Sequence, residues 1–166
     1  MKPNRNPPAI LTILTAVLVL VAVSCSSSDR FERRLERLGY DWDTDRDGDY
    51  RVTVELDDGR RATVGLSSPD SSAVGWAGFR RVWSVAARIP GELPDGLAEN
   101  LLSDTWSSRI AGAWADAGRT SDGRQVIVYV ARVPEDATSR SLDAVIRDTA
   151  KSALDLQDAL AALESR

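Results

Sequence analysis

Two short segments of alternating apolar and polar residues, joined by a turn that contains glycine, restrict the fold more than any other feature of this chain. Residues 50–56 and 61–66 both alternate with the period of two that is typical of half-buried strands. A two-residue turn between them would put their apolar faces out of phase. A three-residue loop over residues 57–59 brings the faces into phase and puts Gly59 at the left-handed position of a type I turn with a bulge. The sequence therefore predicts an antiparallel hairpin with Tyr50 opposite Leu66, Val52 opposite Val64 and Val54 opposite Ala62.

The rest of the chain contains three helical patterns and three further strand patterns, separated by segments rich in glycine, proline and serine. No internal repeat interrupts this order. We therefore expect an α+β domain, an antiparallel five-stranded sheet with helices packed on it, in the order α-β-β-β-α-β-β-α. The predicted helices cover about 31–38, 94–107 and 139–163, and the additional strands cover about 79–89, 110–117 and 126–131.

The strand predicted over 79–89 has one face that is mainly apolar and one that carries charge. Phe79, Trp83, Val85, Ala87 and Ile89 share the first face, whereas Arg80, Ser84 and Arg88 share the second. Because apolar strand faces normally pack on the core, we expect Trp83 inside the domain and the arginines on a solvated face.

The strand predicted at 126–131 is apolar on both faces, so it should lie centrally in the sheet or face a partner. Val126, Val128 and Val130 share one face and are the predicted partner-binding residues. Trp76 is a second candidate, because it lies in a Gly- and Ser-rich loop where a core position is hard to justify.

The composition excludes several classes of function. The chain has no histidine and one cysteine, which removes Ser-His-Asp and Cys-His catalysis, histidine-ligated metals and any intrachain disulfide. It has 21 basic and 25 acidic residues, a formal net charge of −4, which argues against nucleic-acid binding. Lys151 and Ser152 are adjacent and would point about 100° apart on a helix, so they form no dyad. We expect no enzyme.

The N-terminal segment predicts export. Lys2 and Arg5 precede an apolar stretch over residues 9–23, which at about 1.5 Å per residue is shorter than a bilayer core of about 30 Å. The stretch ends at Val21-Ala22-Val23-Ser24-Cys25, which resembles the bacterial lipobox. A retained anchor or a plain secreted protein are the alternatives.

The lipobox resemblance implies a signal peptide over 1–24, a lipidated Cys25 followed by a Ser-rich tether over 25–29, and a folded domain over 30–166. Removing Lys2 and Arg5 leaves 19 basic against 25 acidic residues, a net charge of −6. We expect the protein in the bacterial cell envelope, held at a membrane by its covalent lipid and facing the periplasm or exterior.

An Asp-rich segment matches the start of a calcium-binding loop. Asp43, Asp45 and Asp47 occupy the first, third and fifth positions, and Gly48 the sixth. The twelfth position, where such loops have glutamate, is Val54. The segment is therefore either a weak calcium site or an Asp-rich turn that opens a strand.

Several short motifs spread over roughly residues 30–163 carry a family resemblance. They are Leu38-Gly39-Tyr40, Phe79-Arg80-Arg81-Val82-Trp83, Ile89-Pro90, Asn100-Leu101-Leu102, Gly112-Ala113-Trp114, Val128-Tyr129-Val130 and Ser141-Leu142. With the order of elements, these motifs resemble the YbjN-like family, which shares the type III secretion chaperone-like fold. The resemblance implies protein–protein interaction with regulatory or envelope roles, and it supplies no catalytic residues.

These patterns lead to two functional hypotheses. The first is a non-enzymatic envelope lipoprotein, regulatory or chaperone-like, whose domain binds protein, either as a homodimer or with a client, at the face of Val126, Val128 and Val130. The second is a calcium- or ligand-sensing envelope module that uses the loop Asp43–Gly48.

Overall fold

A computed structural model describes residues 30–68, 78–109 and 111–165. The chain divides into two compact units, Met1–Gly39 and Tyr40–Arg166. In the first unit, helix α1 covers residues 30–37 and buries Phe31 and Leu35, which lie four residues apart on one helical face. Gly39, which has φ 77°, follows the end of this helix, as a glycine at this position of the sequence predicts.

The second unit is an antiparallel sheet with two helices. Its strands, in chain order, are β1 Trp42–Thr44, β2 Tyr50–Glu55, β3 Arg61–Leu66, β4 Phe79–Ile89, β5 Gly112–Arg119 and β6 Gln125–Pro134. Its helices are α2 Leu97–Ser108, between β4 and β5, and α3 Ser139–Glu164 after β6.

The prediction of five strands is wrong, because the described residues form a sheet of six strands in the spatial order β1-β2-β3-β4-β6-β5. Across the described residues the order of elements is α-β-β-β-β-α-β-β-α. The additional strand, β1, pairs Trp42 with Val52 and Thr44 with Tyr50. Three residues with one apolar side chain are too few for an alternating pattern, and β1 exists because β2 offers it a free edge.

The predicted hairpin is confirmed in its register. Tyr50 pairs with Leu66, Val52 with Val64 and Val54 with Ala62. The Leu56 amide donates to the Arg60 carbonyl at 2.9 Å and closes the three-residue loop, in which Gly59 has φ 81°. A positive φ of this size disfavours any residue with a β-carbon, which explains the glycine.

The core of this unit lies between one face of the sheet and α3. The side chains of Val52, Val64, Val82 and Tyr129 are fully buried on that face, which we call the inner face. Thr138 is the N-cap residue of helix α3, and its Oγ1 accepts a hydrogen bond from the Ser141 amide at 3.1 Å. The buried residues of α3 are Leu142, Ile146, Thr149, Ala150, Ser152, Ala153 and Leu154. Within the described residues, no helix has the length and apolar content needed to cross a bilayer.

Candidate functional site

The face of the sheet that points away from α3 is apolar at its centre. Cross-strand pairing places Ala113 opposite Val130 and Ala115 opposite Val128, while Val85 pairs with Val128 from the other side. We call this surface the outer face. Its central side chains are Trp83, Val85, Ala113, Ala115, Val126, Val128 and Val130.

These central side chains line an open concavity with a volume of about 750 Å³. All but one of them are half-buried, and Val128 is buried. Strand β6 lies between β4 and β5, and its alternate residues Ile127 and Tyr129 fill the inner face. The three valines predicted as partner-binding residues thus line the same concavity, whose size and apolar lining suit side chains from another molecule.

The two faces of strand β4 are reversed relative to the prediction: the face expected in the core lies outside, and the face expected in solvent lies inside. The alternation is correct as far as Val85, but Trp83 and Val85 lie on the outer face, whereas Arg80 and Ser84 lie on the inner face. Beyond Val85 a bulge breaks the alternation, so the prediction that Arg88 shares a face with Arg80 is wrong. Arg80 is 1% exposed. The expectation that Trp83 is a core residue and Arg80 a solvated one is therefore wrong.

Three interactions accommodate the Arg80 guanidinium inside the domain. Its Nη1 donates to the Ser67 carbonyl at 2.8 Å, and its Cζ lies 5.7 Å from the centre of the Tyr50 ring. Glu135 approaches Nη2 at 3.9 Å. A buried charge needs such hydrogen bonds and charge partners, because desolvation costs several kcal/mol. They allow Arg80 and Ser84 of β4 to lie on the inner face, while Trp83 and Val85 stay half-buried on the outer face.

Trp83 is fixed on the outer face by the absence of a side chain beneath it. A β-carbon on Gly65, its cross-strand neighbour, would lie 2.4 Å from two carbons of the indole. Only glycine allows the ring to lie this close to the backbone of β3. The indole is therefore an ordered wall of the concavity.

A second depression separates β3 from β4. The two strands pair only at Gly65–Trp83 and Leu66–Val82. Beyond this point the Ser84 hydroxyl donates to the Thr63 carbonyl at 2.9 Å, and Gln157 of α3 donates to the Val85 carbonyl at 3.0 Å. The resulting polar depression, about 570 Å³, was not predicted, because the sequence carries no signal for where two strands diverge.

A polar cluster attaches α2 to the edge of the sheet. Asp104 accepts from Arg109 Nε at 2.6 Å and from Trp114 Nε1 at 2.7 Å, and Arg109 Nη1 also donates to the Ser152 hydroxyl at 2.8 Å. The Arg109 guanidinium lies 5.5 Å from the centre of the Trp114 ring and 5.6 Å from that of Tyr129. These contacts hold β5 in place, so they support the rim of the outer face.

Partial burial by itself raises the pKa of Asp104, but the hydrogen bonds from Arg109 and Trp114 outweigh this and hold the pKa below its ordinary value. Burial, with the nearby Asp148 carboxylate, raises the pKa of Tyr129 to about 12. Both groups thus keep their neutral-pH protonation states, as expected of a structural cluster.

The predicted calcium residues lie around a closed turn. Asp45 Oδ1 accepts from the amides of Asp47 at 3.0 Å and Asp49 at 3.1 Å, and its Oδ2 lies 3.3 Å from Arg51 Nη2. The hydrogen bond from the Asp49 amide is the main cause that lowers the Asp45 pKa. Asp43 lies in β1 opposite Arg51. In the described part of the chain, no three acidic or cysteine side chains cluster as metal ligands would. Calcium binding stays a prediction.

Two predicted site residues lie outside the described residues. Cys25 belongs to the segment 1–29, and Trp76 to the segment 69–77. Lipidation and the surface role of Trp76 therefore stay predictions.

No protein-family model matches this chain, and comparison with curated proteins finds no match.

Proposed function

We propose that this protein is a non-enzymatic lipoprotein of the bacterial cell envelope, with a YbjN-like domain that binds another protein through the outer face. The observation that carries the proposal is the orientation of β4. This strand buries Arg80 on the inner face and leaves Trp83 and Val85 half-buried on the outer face. Burying the Arg80 guanidinium costs desolvation free energy, and the same orientation of β4 leaves apolar side chains on the outer face. A partner that covers the outer face would explain this arrangement.

The chemistry of the outer face supports protein binding over other roles. Tryptophan and arginine are enriched at the energetically important centres of protein interfaces. Trp83 lies at the centre of this face, whereas Arg81 and Arg132 lie at its rim. Acidic and cysteine side chains in the described residues form no metal-binding cluster there.

Site-specific photocrosslinking in the native envelope tests the binding proposal. A photoreactive amino acid replacing Val130 reports on the outer face, and the same amino acid replacing the exposed Arg140 of α3 is the matched control. We expect adducts of defined mass from Val130 and fewer from Arg140. If both positions yield the same adducts in the same amounts, the outer face is not the binding surface.

Mass spectrometry of the N-terminal peptide tests the anchor separately. We expect the mature chain to begin at Cys25 and to carry a diacylglyceryl group, and Cys25→Ser to abolish both processing and membrane attachment. An unmodified Cys25 in a membrane-associated protein would contradict this part of the proposal.

A further inference from the structure

The rim of the outer face is basic although the chain as a whole is acidic. Arg81 and Arg132 pair directly across β4 and β6. A bulge between Val85 and Ala87 then places Arg88 opposite Val126 and therefore on the same face. All three arginines are exposed. Without the inserted residue, Arg88 would point to the inner face, so the bulge adds a third cation to the rim.

Among the described residues, none forms an ion pair with Arg81, Arg88 or Arg132. Two carboxylates line the concavity, but each has other contacts. Asp49 accepts from the Ser68 amide at 2.8 Å, and Asp116 accepts from the Gln125 side chain at 2.8 Å.

Like charges directly opposite each other destabilise a sheet. The Arg81–Arg132 pair is therefore a persistent cost in the free protein, and an anionic partner would remove it. Two arginines, Arg51 and Arg61, lie elsewhere on this side of the sheet but are paired with Asp45 and Glu55. Among the described residues, Arg81, Arg88 and Arg132 thus form a group of arginines without an ion pair around the apolar centre.

The same arrangement disfavours a second copy of this chain as the occupant. Face-to-face packing would bring two sets of arginines together across the interface. The apolar centre spans three strands and about four residues along each, or about 200 Å² from standard strand dimensions. A stable interface buries about 800 Å² on each partner. The centre therefore fits a short segment better than another sheet.

The edge of β5 does not offer an easy alternative. The Trp114 amide donates to Thr105 Oγ1 of α2 at 3.2 Å, so a group that an added strand would need is already bonded. A bound segment would instead use its side chains on the outer face.

We propose that the outer face binds an acidic, extended segment of a partner protein. Two or three apolar side chains of that segment fill the concavity of about 750 Å³, and carboxylates beside them pair with Arg81, Arg88 and Arg132. This inference rests on the proposed function and names the chemistry of the partner.

Peptide binding to the full chain in detergent tests the proposal. The probes are two seven-residue peptides labelled with an uncharged dye, in which positions 1, 3, 5 and 7 share one face of the extended chain. Both have leucine at positions 3 and 5 and serine at the even positions, and positions 1 and 7 are glutamate in the acidic peptide and glutamine in the neutral one. Fluorescence anisotropy should show binding of the acidic peptide and roughly tenfold weaker binding of the neutral one, since each exposed ion pair contributes up to about 1 kcal/mol. Raising the salt concentration to 0.5 M should weaken only the acidic peptide.

Variants test whether the rim arginines bind the acidic peptide. The double variant Arg81→Gln and Arg132→Gln should bind the acidic peptide roughly five- to tenfold more weakly, because two ion pairs are lost. Arg140→Gln, an exposed arginine on α3, is the control and should bind like the parent protein. Urea unfolding of each variant confirms that the fold is intact. The double variant should be no less stable than the parent, because it removes a like-charge pair.

The outcomes separate this inference from the proposed function. Equal binding of both peptides, binding of neither, or equal losses in the double variant and the control would overturn the acidic segment. So would a dimer in sedimentation that Val130→Lys dissociates, because the occupant would then be a second copy. The proposed function stands or falls by the Val130 crosslinks, which require no acidic partner.

Discussion

The indole N–H of Trp114 donates to a carboxylate oxygen of Asp104 at 2.7 Å and so joins the edge strand β5 to helix α2. The same oxygen accepts from Arg109 at 2.6 Å. One carboxylate thus satisfies two donors from different segments, although Asp104 and Trp114 are only ten residues apart in sequence. The position of β5, and with it one wall of the outer face, depends on this junction.

Replacing Asp104 should destabilise the domain. Asp104→Asn removes the charge that Arg109 and Trp114 share, and we expect a loss of about 1–3 kcal/mol in the free energy of unfolding in urea. Asp136→Asn, at an exposed carboxylate in the turn after β6, is the control and should change stability by less than about 0.5 kcal/mol.

The effect of Asp104→Asn should also depend on pH. The folded protein holds the Asp104 pKa below its ordinary value, whereas the unfolded chain has a pKa near about 3.9. The carboxylate therefore contributes stability above about pH 4 and loses it as the pH falls through the folded pKa. The stability difference between parent and variant should be full at pH 7 and narrow below about pH 4. A constant difference would contradict the assignment.

Gly65→Ala should destabilise the protein through Trp83 alone. The added β-carbon would meet the indole at 2.4 Å, and Gly65 has no positive φ that would itself penalise alanine. Overpacking of this kind costs about 1–3 kcal/mol, measured by urea unfolding. In a Trp83→Ala background the same substitution should cost less than about 0.5 kcal/mol, because the obstructing ring is gone. Equal costs in both backgrounds would show that the indole does not lie on Gly65.

Tyr129 should make the protein sensitive to alkali. Burial, together with Asp148, raises the Tyr129 pKa to about 12 in the folded state, above the value of about 10 in an unfolded chain. This contribution is fully present below about pH 10 and is lost as the pH rises toward 12. Unfolding free energies measured from pH 9 to 12 should fall less steeply in Tyr129→Phe. If both proteins have the same slope, Tyr129 ionises freely in the folded state.

Calcium should leave the melting temperature unchanged. The Asp45 carboxylate already accepts two backbone N–H groups and lies 3.3 Å from Arg51, and Val54, at the twelfth loop position, is fully buried. A ligand that binds the folded state raises the melting temperature by mass action. Thermal unfolding with and without millimolar calcium therefore tests whether the loop binds calcium. A rise with calcium but not with magnesium would favour the calcium-sensing hypothesis.

Local patterns predicted the hairpin because its register depends on parity over a few residues and on one glycine. They also predicted that Val126, Val128 and Val130 share a face apart from the core-facing Ile127 and Tyr129. They missed β1, whose three residues form a strand only because β2 has a free edge. They also missed the junction around Asp104, since the loop that joins α2 to β5 shows no periodicity.

By itself, the sequence determined which residues share a face along regular stretches of strand, because a β-carbon alternates sides regardless of what lies beyond the strand. The bulge in β4, which moves Arg88 to the face of Trp83, was not predicted. Only the tertiary structure decided which of those faces became the interior. In β4 that choice placed Arg80 inside, where Ser67 and Tyr50 contact its guanidinium, and placed Trp83 outside on Gly65. The partners that make a buried arginine tolerable come from other strands, so a pattern confined to one strand cannot report them.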